Sequence, residues 1–270
     1  MSILDFFKKK SGESAAAAIS NEQTAQSPTP EPQTEEAPLE STPETPGSVD
    51  NADTKGSKRV YNLIILDESG SMMSIYQAAL TGVNETLQTI REAQSEHENQ
   101  SHYVSLITFD TGHYNRIYNH TPAGQAKDIT QQQYRPSGGT PLYDAMGRAI
   151  SELRPNVTKD DVVLVTVITD GYENASREYS GKAIKNLVEA LKQEGWVFTY
   201  IGANQDVEAV AASMSIDNHL SFNADNDSTQ EMFAKESRSR KKFFRNIDSD
   251  MSFSELSRGY FDENEEEKEQ

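Results

Sequence analysis

Cysteine is absent from the 270 residues, so neither a disulfide nor a thiolate metal site can form, and the chain suits a reducing compartment. No apolar run approaches the roughly 18–20 residues that a membrane-spanning helix needs. The opening M-S-I-L-D-F-F-K-K-K is apolar over too short a stretch for a secretory leader, and its charges follow the apolar part instead of preceding it. Positive charge is scarce: 25 Lys and Arg stand against 43 Asp and Glu, a formal net charge of −18. That balance disfavours wholesale binding to nucleic acid or to an anionic membrane. A cytoplasmic protein is the expectation.

Large apolar side chains are nearly missing from residues 11–57, where six of the ten prolines fall between Pro28 and Pro46 among Glu, Thr, Ser and Gln. Such a segment cannot bury enough surface to offset its ordering entropy, and it reads as a disordered, negatively charged tether. Ahead of it, residues 1–10 form a short amphipathic peptide in which Ile3, Leu4, Phe6 and Phe7 precede Lys8, Lys9 and Lys10. It reads as a frayed terminus or, over Ile3–Lys10, as a docking peptide for a second partner or a membrane surface. Residues 262–270 read as a solvated acidic tail.

What is present between them is an alternation of strand and helix patterns over residues 58–225, followed by a helical extension over 226–261. Apolar β-rich runs occur at Val60–Leu66, Tyr103–Phe109, Asp161–Thr169, Trp196–Gly202 and His219–Phe222. Between them, Ile75, Ala79, Leu80, Val83, Leu87 and Ile90 share one helical face; so do Leu142, Ala145, Met146, Ala149, Ile150 and Leu153, and Ala183, Ile184, Leu187, Val188 and Leu191. The run V-V-L-V-T-V-I-T is apolar on both faces, as a central parallel strand requires. H-Y-N-R-I-Y-N-H directly follows Asp110-Thr111-Gly112, which predicts a hairpin and one antiparallel edge strand. The expected class is α/β: a doubly wound, mainly parallel sheet with helices on both faces, Rossmann-like in layout.

Ligands of such sheets sit beyond the carboxyl ends of the strands, where the strand order reverses. Two strands here end in aspartate, L-I-I-L-D at Asp67 and V-T-V-I-T-D-G at Asp170. If they are neighbours, their ends lie one strand spacing apart, roughly 5 Å. Ser69 and Ser71 follow the first, and P-S-G-G-T-P-L presents Thr140 ahead of a helix. Five oxygens of this kind suit a hard divalent cation; magnesium takes six, at roughly 2.0–2.1 Å. Because hydroxyls are neutral, the metal would remain electrophilic and accept a carboxylate from outside.

Asp67-Glu68-Ser69-Gly70-Ser71, Thr140 in G-G-T-P-L and Asp170 in T-D-G together resemble the metal-ion-dependent adhesion site of von Willebrand factor type A domains. The similarity covers about Arg59 to Phe222. It implies a non-enzymatic binding module that holds Mg2+ or Mn2+. In the family the two serines and the threonine bind the metal directly, and the aspartates do so directly or through water. The shell is completed by a Glu or Asp of another protein. Without cysteine or leader, the chain most resembles prokaryotic intracellular members, which work within multiprotein assemblies.

Other readings compete. Asp67 and Asp170 can act as helix caps. The order Ser69, Asp170, His219 mimics a hydrolase triad, although L-D-E-S-G-S lacks the glycine two residues before the serine of a nucleophile elbow. No G-K-[ST] follows the glycines, which argues against a phosphate-binding loop. His97, His102, His113 and His120 lack ligand spacing and read as surface or edge-strand residues. Arg238, Arg240, Lys241, Lys242 and Arg245 read as the solvated face of a helix whose Met232, Phe233, Phe243, Phe244 and Ile247 supply apolar contacts; nucleic-acid contact through Arg238–Arg245 is the alternative. The loop after Asp170 brings Tyr172, Glu173, Asn174 and Arg177 forward as candidates for partner selection.

Overall fold

A computed structural model describes residues 57–249 and 251–262. The amphipathic peptide over 1–10, the tether over 11–57 apart from Ser57, and the acidic tail beyond Asp262 lie outside the described residues.

Six strands form one sheet: β1 (Lys58–Asp67), β2 (Gln100–Phe109), β3 (Tyr114–Pro122), β4 (Val162–Thr169), β5 (Trp196–Ala203) and β6 (Asn218–Phe222), in the order β3-β2-β1-β4-β5-β6. All neighbours run parallel except β2 and β3, the expected hairpin edge. Burial explains the order. Every residue of β4 and β5 is buried, as are the last eight of β1, whereas β3 has no fully buried residue and stands at the rim. The chain leaves β1 towards β2 and returns to β4 on the other side of β1, so the strand order reverses between β1 and β4.

The helices are α1 (Tyr76–Glu96), α2 (Leu142–Leu153), α3 (Gly181–Gln193), α4 (Val207–Ser213), α5 (Asn226–Ile247) and α6 (Phe253–Ser257). Alternate residues of a strand face opposite sides. Val60, Ile64 and Leu66 join Leu87 and Ile90 of α1 and Phe233 and Phe244 of α5 in one apolar cluster. α2 touches both β1 and α3, and its buried Leu142, Ala145, Met146, Ala149, Ile150 and Leu153 stand outside that cluster. Gly82 on α1 lets the Phe233 ring close on it: a Cβ there would lie 2.0 Å from the ring.

Two expectations need correction. His102 is not a surface residue: it sits on β2 with 1% of its area exposed, its ring edge-on to Phe244 at 4.5 Å. Nor is the basic run of α5 wholly solvated, because Arg240 is fully buried. Its guanidinium donates to Glu236 at 2.8 Å, to the Asn62 Oδ1 at 2.8 Å and to the Thr166 Oγ1 at 2.8 Å. The helical period that exposes Lys241 turns Arg240 inward, next to the polar residues that interrupt β1 and β4. Lys241 instead pairs with Glu92, and Lys242 donates to the Asp262 carbonyl.

Candidate functional site

β1 and β4 pair in register, Leu66 opposite Ile168, which sets Asp67 level with Thr169 and Asp170 one residue further out. Thr169 Oγ1 donates to Asp67 Oδ2 at 2.6 Å, while the Ser69 amide donates to Asp67 Oδ1 at 2.7 Å. The chain then enters a 3-10 turn, Gly70–Ile75. Ser69 occupies its N-cap position, yet the serine hydroxyl makes no capping bond. It lies instead 3.2 Å from Ser71 Oγ, and Ser71 Oγ donates to Asp170 Oδ1 at 2.5 Å. Thr169, Asp67, Ser69, Ser71 and Asp170 thus form one hydrogen-bonded chain across the ends of two strands.

Thr140 arrives from the loop ahead of α2. Gly138 has φ +64°, a left-handed conformation in which a side chain is strained, and a Cβ there would fall 2.4 Å from Thr111 Oγ1. The Gly138 carbonyl accepts the Gly70 amide at 3.1 Å, fastening this loop to the serine turn. Asn174 fixes Thr140 twice: its Oδ1 accepts the Thr140 amide at 2.9 Å and its own amide donates to the Thr140 carbonyl at 3.1 Å. Gly171 reports the convergence, since a Cβ on it would lie 3.5 Å from Ser71 Oγ and 3.7 Å from Thr140 Oγ1. The structure thus gathers Asp67, Ser69, Ser71, Thr140 and Asp170 at the switch point; all but Ser71 are buried.

The electrostatics of this cluster are incomplete. Burial pushes the Asp67 carboxyl up to about 6, against the downward pull of the Thr169 and Ser69 bonds, and the Asp170 charge adds to the rise. Burial likewise raises Asp170, opposed by the Ser71 bond. Asp170 Oδ2 is buried and has no hydrogen-bond partner among the described residues. No group of three or more histidines and carboxylates is placed to hold a metal among the described residues, so a cation here would depend on the hydroxyls. The donor set fits one: two acids short of positive charge, three hydroxyls and one orphaned oxygen answer to a hard divalent ion.

The loop after Asp170 divides into two kinds of residue. Glu173 is spent internally: its carboxylate accepts from the amides of Ala175, Ser176 and Tyr143 and from the Ser176 hydroxyl. Asn174 holds Thr140. Tyr172 and Arg177 face solvent, although the Arg177 amide donates to Asp144. Next to this loop, a cleft of about 530 Å³ runs between Thr111, Pro141 and Arg148.

The triad reading is not assembled. His219 lies on β6, three strand spacings from β1 and so roughly 14 Å across the sheet, and its Nδ1 is 3.1 Å from the Asp217 carbonyl. Three contributors escaped sequence reasoning. Thr169 was legible in T-D-G beside Asp170. Tyr134, whose hydroxyl donates to the Asp67 carbonyl at 3.0 Å, and Glu68, whose carboxylate accepts the Arg135 amide, sit in or hold a loop without periodicity.

The family model for the von Willebrand factor type A domain matches residues 63–236. The chain belongs to that family. Among solved structures, a variant of the PilB minor pilin from Streptococcus sanguinis aligns with a TM-score of 0.51 and 13% identity over 72% of this chain and 64% of that one. The pilus adhesin SpaC from Lactobacillus rhamnosus GG gives 0.50 and 16% over 70% and 31%. This chain therefore spans less than two thirds of either neighbour, and at such identities the likeness speaks for the fold. No curated protein matches the sequence. Type A domains are in general protein-interaction modules, and among the described residues no helix is long and apolar enough to cross a membrane.

Proposed function

We propose that this type A domain is a metal-dependent protein-recognition module, non-enzymatic and working in the cytoplasm within a multiprotein assembly. Ser69, Ser71 and Thr140 would hold Mg2+ or Mn2+ through their hydroxyls, with Asp67 and Asp170 directly or through water. A bound divalent ion supplies an electrophilic place for a carboxylate, so the partner contributes a Glu or Asp. Tyr172 and Arg177, exposed on the adjoining loop, are the residues left to read that partner, because Glu173 and Asn174 are committed to holding the loop and Thr140. The observation that carries this reading is Asp170 Oδ2, buried and without a hydrogen-bond partner among the described residues, beside the hydroxyls and carboxylates of Ser69, Ser71, Thr140 and Asp67. Leaving such a group unsatisfied is costly unless something outside the chain completes it.

Titration calorimetry tests the reading. Magnesium or manganese should bind the wild-type chain with one site, and Thr140→Ala should weaken that affinity at least tenfold. A pull-down from native lysate with magnesium should lose its partner when a chelator replaces the metal. Partners retained equally in chelator and by Thr140→Ala would overturn the proposed bridge. The nucleic-acid alternative is weakened by α5, where Arg240 is inside and Lys241 and Lys242 have protein partners.

A further inference from the structure

A cation in a pocket of hydroxyls accepts any carboxylate, so selectivity must come from what surrounds it. Among the described residues only two large apolar side chains are exposed, Met73 at 59% and Tyr172 at 54%. Both border the cluster. Met73 follows Ser71 by two residues and Tyr172 follows Asp170 by two, so each Cα lies no more than about 7.6 Å from that of a candidate ligand. They come from different strands' ends, one on the serine turn and one on the loop after β4.

Their exposure is built in. On the 3-10 turn, Met72 and Ile75 are buried, and this anchoring leaves Met73 outside. The Tyr172 hydroxyl accepts the Asp206 amide at 3.2 Å, which ties the ring to the start of α4 instead of leaving it loose. Single exposed apolar residues are ordinary on protein surfaces; here the two that are exposed among the described residues each stand two positions from a candidate ligand, so they are not scattered. Tyrosine is a rigid contact and methionine an adaptable one, a pair suited to apolar side chains of a partner.

We infer that the site selects a partner segment whose acidic residue carries large apolar neighbours, Met73 and Tyr172 receiving the flanking side chains while the acid meets the metal. This rests on the metal-dependent reading above. A segment with polar neighbours would reach the cation but leave both rim residues uncovered.

The sequence itself contains a ready probe, since I-L-D-F-F at Ile3–Phe7 sets Asp5 between apolar residues. Three synthetic peptides covering residues 1–10 would be titrated into the full chain with magnesium: the natural one, one with Ile3, Leu4, Phe6 and Phe7 replaced by serine, and one with Asp5→Asn. The readout is the ratio of affinities, which any competitor common to all peptides leaves unchanged. The natural peptide should bind at least tenfold more tightly than the serine peptide, and the Asp5→Asn peptide should not bind. In the Met73→Ser, Tyr172→Ser double variant that ratio should fall to near one while magnesium affinity stays at the wild-type value. Equal affinities for the first two peptides, a ratio that persists in the double variant, or no peptide binding to metal-loaded protein would overturn the inference alone. Absence of magnesium uptake would overturn the metal reading, and the inference with it.

Discussion

Two buried polar clusters, one beneath α5 and one at the ends of β1 and β4, are treated oppositely by the same fold. Beneath α5 every charge is answered. Arg240 is paired with Glu236, and the spare donors and acceptors reach Asn62, Thr166, Thr86 and Tyr260. At the strand ends two carboxylates of like sign stand together, and no Lys, Arg or His of the described residues pairs with either. Asp170 Oδ2 is left without a hydrogen-bond partner among the described residues, and Asp67 is pushed towards neutrality. A chain able to complete one buried network has the means to complete another. On the function proposed above, the difference marks where completion would come from outside.

The largest test of this contrast is Arg240→Ala. It strands Glu236 in the core, and removing one member of a buried pair costs about 3–5 kcal/mol. Chemical denaturation should show that loss, with magnesium affinity unaltered. Replacing both members, Glu236→Leu with Arg240→Met, should recover part of it, because no charge is then stranded, although Asn62 Oδ1 and the Tyr260 hydroxyl lose their partners. A single-variant cost under about 1 kcal/mol would mean that the network is not what fastens α5.

Asp67→Asn should act in the opposite direction. With a folded value of about 6 against 3.8 unfolded, the native metal-free state binds more protons between those values. Its stability is therefore full below pH 3.8, falls as pH rises through about 6, and stays low above it. At about 1.4 kcal/mol per unit this approaches 3 kcal/mol, a ceiling before the lost hydrogen bonds are counted. Metal-free Asp67→Asn should thus be about 1–3 kcal/mol more stable than wild type at pH 7.5. Wild type alone should gain on adding magnesium, by about 2.7 kcal/mol at a hundredfold excess over Kd. If thermal melts show the variant less stable than metal-free wild type, the acids are not under strain.

His102 shows a third way of burying a titratable group, by keeping it neutral. Gln100 Nε2 donates to the Phe244 carbonyl and to Asp248, so its Oε1 accepts from His102 Nε2 at 3.0 Å. Nδ1 has no partner among the described residues, and burial lowers the imidazole to about 3. The unfolded chain takes up the proton first, so this contribution is intact above pH 6.5 and declines below it. By pH 5.5 the loss should be about 1.4 kcal/mol, and His102→Gln should remove that part of the pH dependence in denaturant titrations.

Much of this was legible in the residues. The strand runs, the helical faces and the hairpin edge follow from periods of two and 3.6, because burial on one face or two leaves a direct trace in the sequence. The adjacency of β1 and β4, on which the meeting of Asp67 and Asp170 depends, was an expectation that the register settles. What stayed hidden were contacts without period. That Asn174, a candidate for reading a partner, also clamps Thr140 left no trace in the sequence; His102 and Arg240 looked like surface because their types are polar. Nothing local to R-S-R-K-K tells which cation turns inward; that depends on Asn62 and Thr166, 178 and 74 residues away.

The smallest effect belongs to the next residue. Lys241 pairs with Glu92 at 3.0 Å much as Arg240 pairs with Glu236, on the same helix, but both partners are partly exposed, at 47% and 38%. Water already solvates these charges, and holding two long side chains together costs entropy, so such pairs are worth about 0–1 kcal/mol. Lys241→Ala should therefore change unfolding free energy by less than about 0.5 kcal/mol, an effect that 0.5 M salt should erase. If it instead rivals Arg240→Ala, the charge of α5 matters as a whole, and the division between completed interior and open strand ends loses its meaning.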